Sequence, residues 1–141
     1  MRCEEVMKKD VECASTNEQV QAAARRMRDE NIGFLPVCDG DRKVLGALTD
    51  RDIAVRVVAE GRPPSTRVGD VMTRESITCS PGDDITRAEE LMAKNHKSRI
   101  MCLDAGGRLC GVISLSDVVT VEEAGRASDT MRQVSEREAR L

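Results

Sequence analysis

Apolar residues along this chain change period several times. Val20, Ala23, Ala24 and Met27 fall at i, i+3, i+4 and i+7, which predicts a helix with one apolar face. Ser15 and Glu18 ahead of it have the spacing of a capping box. Asn31-Ile32-Gly33 is expected to end that helix. Phe34 to Cys38 reads as a strand, with Pro36 favouring an edge position. Asp39-Gly40-Asp41 predicts a hairpin turn, and Val44 to Leu48 returns as a second strand. A further helix is expected from Asp50 to about Glu60, stopping at Gly61.

The pattern then recurs. Gly46-Ala47-Leu48-Thr49-Asp50-Arg51-Asp52 reappears 65 residues later as Gly111-Val112-Ile113-Ser114-Leu115-Ser116-Asp117. At the same offset Val6-Met7 matches Val71-Met72, Val20 matches Ile85, Ala23 matches Ala88, and Met27 matches Met92. Leu35 matches Ile100, Asp39 matches Asp104, and Ile53 matches Val118. Cys13 and Cys79 are 66 apart, which implies one residue inserted there and removed before Ile85. Ser80 followed by Pro81 is the expected start of the second long helix, and Asp104-Ala105-Gly106-Gly107 the second hairpin turn.

The fold class expected is α+β, a mixed α/β chain of two repeats. Residues 1–61 form the first, 62–66 a linker carrying Pro63 and Pro64 just after Gly61, and 67–124 the second. The charged stretch 125–141 follows. A half of about 60 residues buries only about 60% of its surface, so the halves are expected to share an interface. Near the end, Glu122/Arg126 and Glu136/Arg140 are i, i+4 pairs that support a helix, with Ala124, Ala127, Met131 and Val134 as a thin apolar stripe. A solvated or frayed terminal helix is expected there, with packing on a partner subunit as the alternative.

Composition narrows the function classes. The 141 residues are 40% hydrophobic, enough for a core. No run approaches the roughly 18 apolar residues of a membrane span, and the N-terminus lacks a signal-peptide stretch. No membrane partner and a cytoplasmic location are therefore expected. The net charge of −3, with bases and acids interleaved, argues against a nucleic-acid footprint. Phe34 is the single aromatic residue, so base-stacking platforms are nearly absent. The six cysteines read as small buried hydrophobes. With no C-x-x-C pair and His96 the single histidine, zinc-ligand spacing and a nucleophilic triad are both missing. His96 itself reads as a helix C-cap. No enzymatic activity, no metal and no required cofactor are expected.

The duplicated motif carries the chemistry. Thr49-x-x-Asp52 and Ser114-x-x-Asp117 are on their face ordinary helix starts, a hydroxyl cap followed by an acid in the first turn. Their occurrence twice, each after a strand and a glycine, suggests more. A carboxylate can accept two hydrogen bonds from a vicinal diol such as a ribose. A nearby hydroxyl and helix N-terminus can hold a phosphate.

These residues carry a family resemblance. The doubled G-h-h-[ST]-x-x-D motif and the Phe34-Leu35-Pro36-Val37 strand resemble a tandem pair of CBS domains, of the small stand-alone bacterial type, over about residues 1–124. The resemblance implies two β-α-β-β-α repeats packed about a pseudo-two-fold, with adenine nucleotides bound in clefts between them and pairs joined as homodimers. It implies Thr49 and Asp52 at one cleft, and Ser114 and Asp117 at the other. It places backbone around Asp10–Glu12, with Val11 and Glu12, at one cleft, and Ser76–Thr78, with Ile77 and Thr78, at the other. Lys97, Ser98 and Arg99 match the family's phosphate-contacting positions, whereas Ile32, Gly33 and Phe34 stand there in the first repeat. The Arg99 cleft is thus expected to be the better nucleotide site, and the Thr49/Asp52 cleft to be empty or suited to an uncharged nucleoside. A surface ion pair is the competing role for Arg99.

The function this implies is a regulatory module that senses an adenine nucleotide or adenosyl compound (AMP, ADP, ATP or S-adenosylmethionine) and signals to a separate, unidentified protein. Two alternatives stand beside it. One is a thiol redox sensor using Cys13 and Cys38, which the sheet of one repeat can make neighbours. The other is a ligand-free dimerisation scaffold.

Overall fold

The computed structural model describes residues 1–121 and 130–135. Its chain divides into two compact units, one of Glu12–Ser76 and one that combines Met1–Val11 with the chain from Ile77 onward. These divisions differ from the repeat boundaries read in the sequence. Residues 1–11, read as the start of the first repeat, pack with the second, and the stretch following the linker completes the first.

In the Glu12–Ser76 unit, helix α1 spans Val20–Glu30 and buries Val20, Ala23 and Met27. It starts after Gln19, so the Ser15/Glu18 capping box does not form. The reason is tertiary. The Val20 and Gln21 amides are bound by the carbonyls of Thr66 (2.8 Å) and Pro64 (3.2 Å). With those donors satisfied, no side-chain cap is present, and Glu18 instead forms a 2.6 Å ion pair with Arg26. Asn31 ends α1 in the left-handed conformation.

Strands β1 (Phe34–Cys38) and β2 (Val44–Thr49) form an antiparallel hairpin, with Phe34 opposite Thr49. Pro36 faces Ala47, whose own N–H and C=O pair with Thr73, so the missing proline donor costs nothing on that side. Helix α2 (Asp50–Ile53) runs into a single π-helical turn, Ala54–Val58, and the short helix α3 is Val68–Val71. The helix expected from Asp50 to Glu60 is therefore a four-residue α-turn followed by a wider one.

In the other unit, strand β3 (Thr78–Cys79) lies parallel to β4 (Arg99–Leu103), which is antiparallel to β5 (Leu109–Ser114). Helix α4 is Ile85–Asn95. Its cap is Asp84, whose Oδ1 accepts the Thr86 N–H at 3.0 Å, while Ile85 donates to the Met1 carbonyl at 2.8 Å. Ser80 and Pro81 lie instead in the preceding turn, where the Ser80 N–H meets Asp83. His96 caps the C-terminus in the left-handed conformation, matching Asn31. Helix α5 is Leu115–Val121.

The two cores are built from the same positions shifted by 65. One holds Ala14, Val20, Ala23, Met27, Leu35, Val37 and Leu48, and is closed by Val68, Val71 and Met72. The other holds Cys79, Ile85, Ala88, Met92, Ile100, Cys102 and Ile113, and is closed by Cys3, Val6 and Met7. The register also corrects the one-residue insertion inferred from Cys13 and Cys79. Ala14 bridges Val37 as Cys79 pairs with Cys102, so the offset of 65 continues and Cys79 answers to Ala14.

Residues 130–135 are helical, with Thr130 and Val134 buried and Met131 exposed. The Gln133 carbonyl lies 2.9 Å from His96 Nδ1. The pairs Glu122/Arg126 and Glu136/Arg140, with Ala124 and Ala127, lie outside the described residues. No described helix is long and apolar enough to cross a membrane.

Candidate functional site at the duplicated motif

Each motif sits where a strand turns into a helix, and its glycine explains the turn's neighbourhood. A Cβ on Gly46 would meet the Thr73 carbonyl oxygen at 2.3 Å, and one on Gly111 the Lys8 carbonyl oxygen at 2.6 Å. The missing side chain lets a crossing segment pair with the strand: Thr73 with Ala47, and Lys8 with Val112. Thr73 and Lys8 therefore hold the same structural place in the two units.

Both motifs form the hydroxyl cap expected of them, and in each the aspartate returns the bond. The Thr49 N–H donates to Asp52 Oδ2 at 2.9 Å, and the Asp52 N–H to Thr49 Oγ1 at 3.1 Å. The Ser114 N–H donates to Asp117 Oδ2 at 2.9 Å, and the Asp117 N–H to Ser114 Oγ at 3.2 Å. The remaining lone pairs set the two apart. Asp52 is buried, and the Thr73 hydroxyl donates to its Oδ1 at 3.0 Å and its Oδ2 at 3.3 Å. Arg56 lies 3.9 Å away, tied to the carbonyls of Val71 and Met72. Both oxygens of Asp52 are thus occupied within the unit. Asp117 is half-buried, and among the described residues its Oδ1 has no donor.

The surroundings diverge in charge as well. Arg99 stands directly across β4 and β5 from Ser114, and the position across from Thr49 is Phe34. The Arg99 guanidinium is exposed, donates to the Ser98 carbonyl at 3.1 Å, and has no ion pair among the described residues. The ion pair weighed as its competing role is not formed there. Ser98 also accepts the Leu115 N–H at 2.9 Å, which ties the start of β4 to the start of α5. Lys97 is exposed just ahead of them. In the first unit the Asp50 carboxylate fills the space beside Gly33, within 2.6 Å of where a Cβ would stand. An acid thus stands in the first unit where the second has the apolar Leu115, whose N–H meets Ser98 as that of Asp50 meets Gly33.

The structure brings Ser98, Arg99, Ser114 and Asp117 together, with Lys97 adjacent in the chain. Thr78 is exposed on β3 opposite Met101, and Ile77 packs on its unit's core. Val11 and Glu12 fall on opposite sides of the division between units, and Glu12 pairs with Arg26 at 3.5 Å. Asp50, Thr73 and Lys8 were missed from the sequence. The 65-residue offset contained the signal, since it aligns Lys8 with Thr73 and Leu115 with Asp50.

None of the six cysteines forms a disulfide; five fall in two groups, and the sixth, Cys110, is half-buried with its sulfur 3.7 Å from the Arg108 carbonyl. The Cys79 sulfur lies 3.4 Å from that of Cys102 and 3.8 Å from that of Cys3, inside one core. The Cys13 and Cys38 sulfurs are 2.6 Å apart in the other unit. Among the described residues no group of three or more His, Cys, Asp or Glu side chains is placed to hold a metal ion.

The family model for the CBS domain matches this chain twice, over residues 3–59 and 68–124. The chain belongs to the CBS domain family. Among its relatives, the CBS domain-containing protein YhcV of Bacillus subtilis is 35% identical over 127 residues, 87% of this chain and 89% of the relative. Hypoxic response protein 1 of Mycobacterium tuberculosis is 31% identical over 114 residues, 81% of this chain and 80% of the relative. The CBS domain pair of protein MJ0100, solved in complex with 5′-methylthioadenosine and S-adenosyl-L-methionine, shares the fold with a TM-score of 0.77 at 24% identity, covering 86% of this chain and 98% of that one. CBS pairs are regulatory modules, and this chain carries two CBS domains in that arrangement.

Proposed function

We propose that this CBS pair binds an adenine nucleotide or adenosyl compound at the Ser114–Asp117 motif and signals its occupancy to a separate protein, as a homodimer. One observation carries the reading: among the described residues Asp117 has a carboxylate oxygen with no donor and Arg99, across the strands from Ser114, has no ion pair, while both oxygens of Asp52 accept hydrogen bonds. A ribose diol needs carboxylate lone pairs, and an anionic end needs a cation. The second motif offers both. The first offers an Asp52 whose two oxygens both already accept hydrogen bonds, the acid Asp50 and the apolar Phe34. AMP, ADP, ATP and S-adenosylmethionine are the candidate ligands, with the adenine held between aliphatic side chains. The ligands of the MJ0100 pair support the adenosyl class as chemistry that this fold accommodates.

Calorimetry and thermal shift with AMP, ADP, ATP, adenosine and S-adenosylmethionine test the reading. A ligand at 100 times its Kd adds about 2.7 kcal/mol of stability, a readily measured shift. Asp117→Ala and Arg99→Ala are each expected to weaken binding about ten- to a hundred-fold, the worth of a charge-assisted hydrogen bond. Asp52→Ala is expected to leave affinity within about threefold, since a change well under 1 kcal/mol is expected where the carboxylate makes no ligand contact. Equal losses in Asp52→Ala and Asp117→Ala would refute the asymmetry. No shift with any of the five at millimolar concentration would leave the ligand-free dimerisation scaffold.

A further inference from the structure

The Cys13–Cys38 contact stands apart from both motifs. Cys13 lies in the short segment through which the chain enters the Glu12–Ser76 unit. That segment is held to β1 by the Ala14 N–H on the Pro36 carbonyl at 2.8 Å and the Cys38 N–H on the Ala14 carbonyl at 3.0 Å. Arg26 adds a 3.3 Å hydrogen bond to the Cys13 carbonyl. Cys38 is the last residue of β1, at the irregularity in its pairing with β2. The two sulfurs, 2.6 Å apart, need to close by only about half an ångström to reach the disulfide bond length of about 2.05 Å.

We propose that Cys13 and Cys38 are an oxidation site, a dithiol that closes to a disulfide and pins the entering segment to the end of β1. The inference is independent of nucleotide binding. Access separates Cys13 from the Cys3, Cys79 and Cys102 thiols; its partner Cys38 is itself buried, and Cys110 is half-buried like Cys13. Cys13 is half-buried and within reach of solvent, whereas Cys79 is 7% and Cys102 0% exposed. Burial and contact with Cys13 push the Cys38 thiol up to about 12, so it stays protonated while the first oxidation falls on Cys13.

With a hydroperoxide as oxidant the chemistry balances. Cys13 sulfur attacks the peroxide, an S–O bond forms as the O–O bond breaks, and the first water leaves. Cys38 then loses its proton and attacks the Cys13 sulfenic acid. The S–S bond forms, the S–O bond breaks, and the second water leaves. Two thiols give up two electrons in all, and hydrogen peroxide becomes two waters. A small dithiol reverses the step.

The test is peroxide treatment of the full chain, followed by intact mass, tryptic mapping and hydrogen exchange. The expected product is lighter by about 2 Da. It contains the peptides 10–25 and 29–42 joined through Cys13 and Cys38, and a dithiol restores the original mass. Peptides covering Ala14 and Cys38 are expected to exchange more slowly in the oxidised form, and Cys13→Ser or Cys38→Ser to abolish both effects. Six free thiols after treatment, a cross-link between Cys79 and Cys102 with Cys13 and Cys38 still free, or sulfinic acid at Cys13 without a cross-link each overturns the proposal. So does a cross-link that leaves exchange at Ala14 and Cys38 unchanged. The mapping is read on the unmodified chain, so it holds even if a serine variant fails to fold.

Discussion

Asp52 and Asp117 are the same residue at the same repeat position, yet their environments differ by one donor. Thr73 offers a hydroxyl to Asp52, and the residue in its place in the other unit is Lys8. Removing the Asp52 carboxylate leaves two donors, the Thr49 N–H and the Thr73 hydroxyl, without their acceptor at half-buried positions. Asp52→Ala is therefore expected to destabilise the protein by about 2–3 kcal/mol. Asp117→Ala leaves a single donor, the Ser114 N–H, without its acceptor and is expected to cost less, about 1 kcal/mol. Urea-unfolding midpoints for the two variants check this, and equal losses would contradict it. Stability and affinity should thus move in opposite order: the first aspartate matters more for folding, the second for ligand. The sequence showed the two acids as equals, because the donor that separates them lies 21 residues away from Asp52 in the chain.

The elements follow the apolar pattern closely, and where they depart a distant backbone group is responsible. The i, i+3, i+7 spacing in α1 put Val20, Ala23 and Met27 in the core. Its start was displaced because carbonyls of Thr66 and Pro64 cap its first amides. The motif glycines belong to this scale too. Gly46→Ala drives a Cβ into the Thr73 carbonyl, and Gly111→Ala drives one into the Lys8 carbonyl. Each is expected to lower stability by about 2 kcal/mol or more, since a backbone segment must move to relieve the overlap. Faster hydrogen exchange at Thr73 in the first variant and at Lys8 in the second would locate the damage. Exchange unchanged at those amides would contradict the account.

At the scale of the whole molecule, the compact units do not follow the repeats. Cys3, Val6 and Met7 close the core of the second unit, and the Met1 carbonyl caps α4. Deleting residues 1–11 is therefore expected to leave the Glu12–Ser76 unit protected while loosening residues 77–121. Hydrogen exchange resolved along the chain reads this directly. Loss of protection in Glu12–Ser76 instead would assign the leading segment to the wrong unit. The deletion removes Cys3 and two half-buried apolar residues from one core, and core truncations of this kind cost about 2–5 kcal/mol per large side chain.

By itself the sequence determined the repeat, the order of helices and strands, the two hairpins and the hydroxyl-capped helix starts at Thr49/Asp52 and Ser114/Asp117. Those features depend on residues close in the chain, and local spacing is enough to specify them. Tertiary structure decided which stretch completes which core, where α1 and α4 begin, and which carboxylate keeps a lone pair for a ligand. Each of these turns on a partner far along the chain: Met1 for Ile85, Thr66 for Val20, Thr73 for Asp52. A periodic pattern carries no record of such partners. It shows that a buried donor must be satisfied, and the fold determines by what.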